Sequence, residues 1–472
     1  MRTHKKTPLG VIRKRYRRRL KSGKKQKERN RNKNALYSYS KLSPLEDYSY
    51  ETIFNKWAPV NLKYLLDCEK SDFHHEKITE NIPNNGGNFE VPVEFSITER
   101  PKESFDFIRG VLGALITQKY KTINIDYSRC KKLDSDAQVL LDIILKDVIK
   151  FFNRCKRYKR TKPKVKEING INTLNNDVKK LLYSIGSPTI HSFKSINFPD
   201  IIPYKLCIHD SETNGDPVKI REQKDLDTSK LVDYVIDSLA ALNRTLTPEK
   251  IDDLSTVIGE ILINAEEHST TKHRFSIGYF HEMNENGNHF GVFRLTILNF
   301  GKTIYEKFKD PDCPNKRTVK NMEALSTQYT KRRFFFPKAF EEETLWTLYA
   351  LQEGVTSVAS DQYLKRGNGS IQFIESFFNI KSESKLIDNF STLSILSGNT
   401  SIVFDGTYGI NSKKINGEKY KFMTFNTSGD IENKPDSNFV KFVDNYFPGT
   451  IISAKIMFEE DGLTKTYNYE TE

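Results

Sequence analysis

The sequence predicts a mixed α/β protein made of more than one unit. Three observations predict it. The 472 residues exceed one small core, on a prior of roughly 100–200 residues per domain. From Phe89 to about His191 strand and helix patterns alternate, as in helices packed on a sheet. From Thr228 a second series of helices and strands begins. The expected organisation is a disordered basic tail over 1–35, a connector over 36–88, an α/β domain over 89–191, a linker over 192–225 and a second α/β unit over 226–472.

The tail follows from charge. Residues 1–34 hold sixteen Lys/Arg against Glu28, a local +15, so the other residues sum to 13 − 15 = −2. A run such as Arg13–Arg19 carries too much like charge to pack, and it attracts polyanions, nucleic acid first. The alternative is a solvated extension that binds nothing specific. Behind it, the connector is irregular, with one helix at Val60–Cys68 and a turn at Asn84–Asn88.

The first α/β region alternates in order. Phe89–Ile97 is a strand, Lys102–Gln118 a helix and Lys121–Asp126 a strand. A long helix, Ser135–Arg154, is apolar on most sides and therefore buried. Lys164–Ile168 is a third strand, and the helix Leu174–Ser184 stops at Gly186.

In the second unit Leu231, Val235, Leu239, Leu242 and Leu246 follow helical spacing. Thr247-Pro248-Glu249 starts another helix, with an N-cap threonine, a first-turn proline and an early acid. Strands Arg274–His281 and Phe290–Leu298 flank a hairpin turn. The polar stretch 305–340 reads as a mobile lid, and 341–352 as a helix. The turn Lys365–Ser370 opens the helix Ile371–Phe378. Leu393–Ser397 and Ser401–Phe404 read as paired strands, and Pro448 starts the last strand.

Composition narrows the function classes. Hydrophobic residues at 37% and aromatics at 12% support packed cores. No apolar run approaches the roughly 18–20 residues of a membrane span, and mean hydropathy is −0.60. No secretory signal is recognisable, so a cytoplasmic protein is expected. Five widely spaced cysteines without a C-x-x-C pair argue against a disulfide framework or zinc site.

Chemistry concentrates on the helix after Pro248. Glu260, Asn264 and His268 interrupt its apolar pattern at i, i+4 and i+8, a stripe within about 80°. A carboxylate and an amide one turn apart can supply a general base and an oxygen ligand for Mg²⁺. The alternative is a solvent-facing stripe. At the turn before Ile371, glycines let a backbone approach phosphate, and a new helix turns free N–H groups toward it.

Two resemblances extend this reading. Ile123–Ser128, leading through Leu133-Asp134-Ser135-Asp136-Ala137 into a helix, resembles the strand, loop and helix of STAS domains, the anti-sigma-factor antagonists. In that family the serine after the loop aspartate is phosphorylated, and Ser135 matches it. Asp136 and Ala137 depart from the family's next residues, and Ser135 as a simple helix cap stays open.

The string Glu260–His268 is similar to the N-box of the GHKL ATPases (gyrase, heat-shock chaperones, histidine kinases), closest to the anti-sigma-factor kinases. The resemblance implies a Bergerat-type α/β sandwich with a mixed sheet. It also implies ATP and Mg²⁺ as cofactors, Glu260 activating the nucleophile and Asn264 holding the metal. Leu298–Ile304 resembles the family's adenine box, with Asn299 for the aspartate, Gly301 retained and Thr303 for the second glycine. Arg366, Gly367, Asn368 and Gly369 resemble the second glycine box, and Thr450 matches a threonine near the base. The implied activities are slow ATP hydrolysis as a regulatory switch, serine kinase activity on Ser135 or a partner, or nucleotide-gated binding without turnover. A regulatory protein partner or a homodimer would fit each.

Overall fold

A computed structural model describes residues 50–80, 82–157, 163–190, 198–210, 217–267, 269–285, 288–331, 338–357, 369–380, 391–415 and 418–459. The chain divides after Lys56 into two units. Of the first, Tyr50 onward is described, as most of helix α1 (Tyr50–Trp57). All further elements belong to the second unit, 57–472. Among the described residues no helix is long and apolar enough to cross a membrane.

The connector is more structured than its irregular pattern suggests. It holds α2 (Val60–Asp67) and α3 (His75–Glu80), with Leu62, Leu65, Leu66 and Phe73 buried. The strand expected over Phe89–Ile97 is two short pieces, β1 (Asn88–Glu90) and β2 (Glu94–Phe95). Pro92 falls between them and has no N–H for a ladder. Next come α4 (Pro101–Ile116), β3 (Thr122–Asp126), β4 (Lys132–Leu133), α5 (Ser135–Arg157), β5 (Glu167–Ile171) and α6 (Asn176–Ile185). Strands β1, β3 and β5 form a parallel sheet in that order, and β2 pairs with β4. Asn175 caps α6 by accepting from the Asp177 and Val178 amides, and Gly186 closes it at φ 66°.

The expected linker holds regular structure among its described residues. Residues 192–225 contain β6 (Ile201–Asp210) and the start of α7 (Pro217–Ala240). Pro217 is a first-turn proline, a helix signal that the charged residues behind it obscured. After α8 (Pro248–Glu267), strands β7 (His273–Glu285) and β8 (Asn288–Phe300) form the expected hairpin. The stretch read as a lid holds α9 (Ile304–Lys309) and α10 (Lys316–Thr330); residues 332–337 lie outside the described ones. Helix α10 is anchored: the indole N–H of Trp346, on α11 (Glu342–Ala350), donates to Ser326 Oγ at 3.0 Å. Then follow α12 (Gly369–Ile380), β9 (Thr392–Phe404), the small hairpin β10 (Asn411–Ile415) and β11 (Glu418–Phe422), and β12 (Val440–Glu459). Strand β9 is continuous where two strands were expected.

The principal sheet has the order β6-β7-β8-β12-β9 and is antiparallel throughout, not mixed. Its centre is set by a tight hairpin, which makes neighbours antiparallel, and by the long β12, which pairs with both β8 and β9. Alternation gives it two faces. Phe293, Leu295, Ile297, Ile395 and Ile456 pack in one core with the apolar sides of α7, α8, α11 and α12. The opposite face is covered by α4, α5 and α6. Helix α5 buries 15 of its 23 residues, as its all-round apolar pattern predicts.

Two hydroxyl pairs cross to that second face. Ser135 Oγ lies 2.8 Å from Thr296 Oγ1 on β8, and Thr98 Oγ1 lies 2.7 Å from Ser394 Oγ on β9. Asp136 holds the seam: its carboxylate accepts from the Ile97 and Thr98 amides and from the Thr98 hydroxyl. Burial, with Asp134 nearby, pushes the Asp136 carboxyl up to about 6.

Candidate functional site

Helix α8 lies between α7 and α12 on the apolar sheet face, touching β7 and β8. Leu254, Val257, Ile258, Ile261 and Leu262 fix that face in the core. Glu260 and Asn264 are half-buried on its other side. Neither side chain has a hydrogen-bond or ion-pair partner among the described residues. Burial pushes the Glu260 carboxyl up from its ordinary value, the direction that improves a general base.

Glu260 lines a cleft of about 680 Å³ between α7 and α8, together with Gly259, Arg221, Lys224, Asp225 and Arg274; Asn264 is not among the lining residues. His268, the third member of the stripe, lies outside the described residues.

Ala265, the residue after Asn264, takes part in a three-way junction. The Asn299 amide nitrogen donates to the carbonyl of Ala265 at 2.6 Å. The Asn299 amide oxygen accepts from the Thr450 N–H at 3.1 Å. One side chain, 2% exposed, thereby ties the end of α8 to β8 and β12. Thr450 pairs with Asn299 in register, and its hydroxyl is 3.0 Å from Ser397 Oγ. The Asn299 amide is thus engaged within the protein, so a bond to a nucleobase amino group has only the second lone pair of its oxygen to use.

The turn after Asn299 has its own logic. Gly301 is buried, and its N–H donates to the Pro448 carbonyl at 3.1 Å. Thr303, standing where the family's second glycine would be, is the N-cap of α9 in a reciprocal capping box with Glu306. Arg366, Gly367 and Asn368 lie outside the described residues; Gly369 is the first residue of α12, which packs against α8. Ser135 is 3% exposed at the start of α5, inside the seam with Thr296.

Sequence reasoning missed the buried polar network beside the cleft. Asp227 on α7 accepts from Arg274 Nη2 at 3.0 Å and from Gln223 at 2.7 Å, and it faces His209 Nδ1 at 3.2 Å. Burial opposes charge on Asp227, but bonds from His209, Gln223 and Cys207 and the Arg274 charge prevail and hold its carboxyl below the ordinary value. On its far side His209 Nε2 stands 3.4 Å from Glu266 Oε2, and Lys224 stands 3.1 Å from Glu266 Oε1. The partners come from α7, α8, β6 and β7. The only local signal was a set of charged residues that looked like ordinary surface.

All five cysteines are free, with Cys130, Cys155 and Cys313 buried. Among the described residues no group of three His, Cys, Asp or Glu could hold a metal ion. An Mg²⁺ ion here would draw its ligands chiefly from a phosphate ligand and water, with the Asn264 amide oxygen as the protein donor, a donor type that suits Mg²⁺. No family model, curated protein or solved structure matches the chain.

Proposed function

We propose that this chain is a Mg²⁺-dependent ATP-binding protein of the GHKL type that hydrolyses ATP slowly, with a STAS-like α/β layer built into the same unit. One observation carries the reading. The Asn299 side chain bridges Ala265, next to Asn264, and Thr450, so three motif segments far apart in sequence meet at the end of α8. The packing of α12, the helix opened by Gly369, on α8 adds the fourth.

In this reading Glu260 would orient the attacking water, Asn264 would hold Mg²⁺, which would neutralise phosphate charge, and the Arg366–Gly369 segment would supply backbone N–H groups to the phosphates. Catalysis is then positioning and charge stabilisation. Phosphoryl transfer to Ser135 within the chain fits less well, because that hydroxyl is buried against Thr296. Gated binding without turnover is the second reading. It is favoured by the occupied Asn299 amide, which leaves the base weakly read. Contact with nucleic acid through residues 1–34 would add a polyanion partner.

The test is calorimetry with ATP, with and without Mg²⁺, followed by phosphate release. Asn264→Ala should lose the Mg²⁺ dependence. Glu260→Ala should keep ATP and lose about 10²-fold in turnover. Folded protein that binds neither ATP nor ADP at millimolar concentration would remove the proposal. Binding without release of phosphate would leave the gated binder.

A further inference from the structure

We propose that the cleft between α7 and α8 is a binding site for a sugar-phosphate group. Its volume, about 680 Å³, lies within the range of small-molecule pockets.

The first argument is Gly259, in the interior of α8. Glycine inside a helix is disfavoured against alanine, so it needs a reason. Close packing is the usual one: at Gly113, inside α4, an added Cβ would come within 2.2 Å of the Ile78 carbonyl oxygen. At Gly259 the nearest atom would be Thr228 Cγ2 at 3.9 Å, ordinary contact. Packing does not demand this glycine. What the missing side chain provides is open space in the cleft.

The second argument is the chemistry of the walls. Arg221 is exposed and has no ion pair among the described residues, whereas Lys224 is shared with Glu266 and Arg274 with Asp227. A free guanidinium offers a planar fork of donors to a phosphate. Glu260 and Asp225 line the same cleft, and carboxylates are the natural acceptors for adjacent sugar hydroxyls, as where an acidic residue reads a ribose. Free phosphate would be repelled by the two carboxylates, and an uncharged sugar would leave Arg221 unused. A sugar phosphate engages both kinds of group.

This site needs neither Asn264 nor Asn299, so it does not depend on the nucleotide reading. Glu260 belongs to both, and the test therefore uses Arg221 and Gly259. Full-length protein is titrated calorimetrically with ribose 5-phosphate, and in parallel with ribose, inorganic phosphate and Mg-ATP. Ribose 5-phosphate should bind at least about tenfold more tightly than ribose or phosphate alone. Arg221→Gln should weaken it at least tenfold, and Gly259→Leu, which fills the cleft, should abolish it. If Gly259→Leu fails to fold, Arg221→Gln, an exposed change, carries the test.

The Mg-ATP arm identifies the source of the group. Competition between Mg-ATP and ribose 5-phosphate in the unaltered protein, with Mg-ATP binding also weakened in Gly259→Leu, means the nucleotide's own ribose phosphate occupies the cleft; independent binding means a separate small molecule does. No binding of ribose 5-phosphate at millimolar concentration, equal affinity for free phosphate, or unchanged binding by folded Gly259→Leu would each overturn the proposal. Failure of the nucleotide reading would appear separately, as absent Mg-ATP binding or as an unchanged Mg²⁺ dependence in Asn264→Ala.

Discussion

Replacing Asn299 by aspartate, the residue of the adenine box it resembles, should weaken the protein rather than improve it, and by an amount that depends on pH. The present amide donates to one backbone carbonyl and accepts from one backbone N–H, at 2.6 and 3.1 Å, in a site 2% exposed. An ionised carboxylate keeps the bond from Thr450 but sets an oxygen against the Ala265 carbonyl. It thus loses one bond, leaves a buried acceptor unsatisfied at about 1–3 kcal/mol, and adds the cost of a buried charge. A protonated carboxyl can donate to Ala265 and restores both bonds. The new group's pKa is therefore raised in the folded state. For an acid this sign means that stability is retained at low pH and lost as pH rises from the unfolded value toward the folded one, at about 1.4 kcal/mol per unit. Chemical denaturation followed by tryptophan fluorescence should show Asn299→Asp close to wild type at about pH 3.5, below the unfolded carboxyl's ordinary value, and at least about 2 kcal/mol weaker at about pH 8. Asn299→Ala, which lacks both bonds, should be weaker by about 2–4 kcal/mol at either pH. Equal stability of Asn299→Asp at the two pH values, or an alanine variant as stable as wild type, would refute the junction. A gain in ATP affinity on Asn299→Asp would show that the amide reads the base after all.

Two further outcomes follow from buried groups. Burial pushes the Asp142 carboxyl up to about 7 against its bonds from Ser187 and Gln138, so its contribution is full at acid pH and is lost as pH rises from about 4 toward about 7; Asp142→Asn keeps the two accepted bonds and should flatten that decline, and an unchanged pH slope in denaturation midpoints would count against it. Arg274→Met leaves Asp227 buried without its guanidinium and should cost about 3 kcal/mol; adding Asp227→Leu should recover most of the loss, and a double variant no more stable than the single would show that the pair is not the unit.

The legible parts of the fold were those with local signals. The helix ending at Gly186 and the hairpin between β7 and β8 could be placed because caps, turn residues and periodicity are written within a few positions. Helix α5 could also be recognised as buried. Strand β6 could not, because Pro203 and the register shift between Tyr204 and Cys207 interrupt its pattern, and the charged start of α7 looked like a linker. The site divides similarly. The stripe on α8 was visible, since i, i+4 spacing is local. That Glu260 would line a cleft with α7, and that the Ala265 carbonyl would meet Asn299 and Thr450, depends on distant segments coming together. Thr303 was read as a lapse from a glycine motif, but it is a helix cap, a role visible only with Glu306 beside it. The Asp227 network was hidden because a buried ion pair and a surface one use the same letters.

Helix α5 has the principal sheet on one side and the remainder of its own α/β layer on the other, and Ser135 begins it at the seam. Order of events follows from that position. An enzyme or reagent can meet this hydroxyl only after the helical layer has come away from β8 and β9. A modification found there would be a record that the layers had already parted, and its added charge would hinder their closing again. Ser135 would then act as a latch on an opening that something else began, not as the trigger for it.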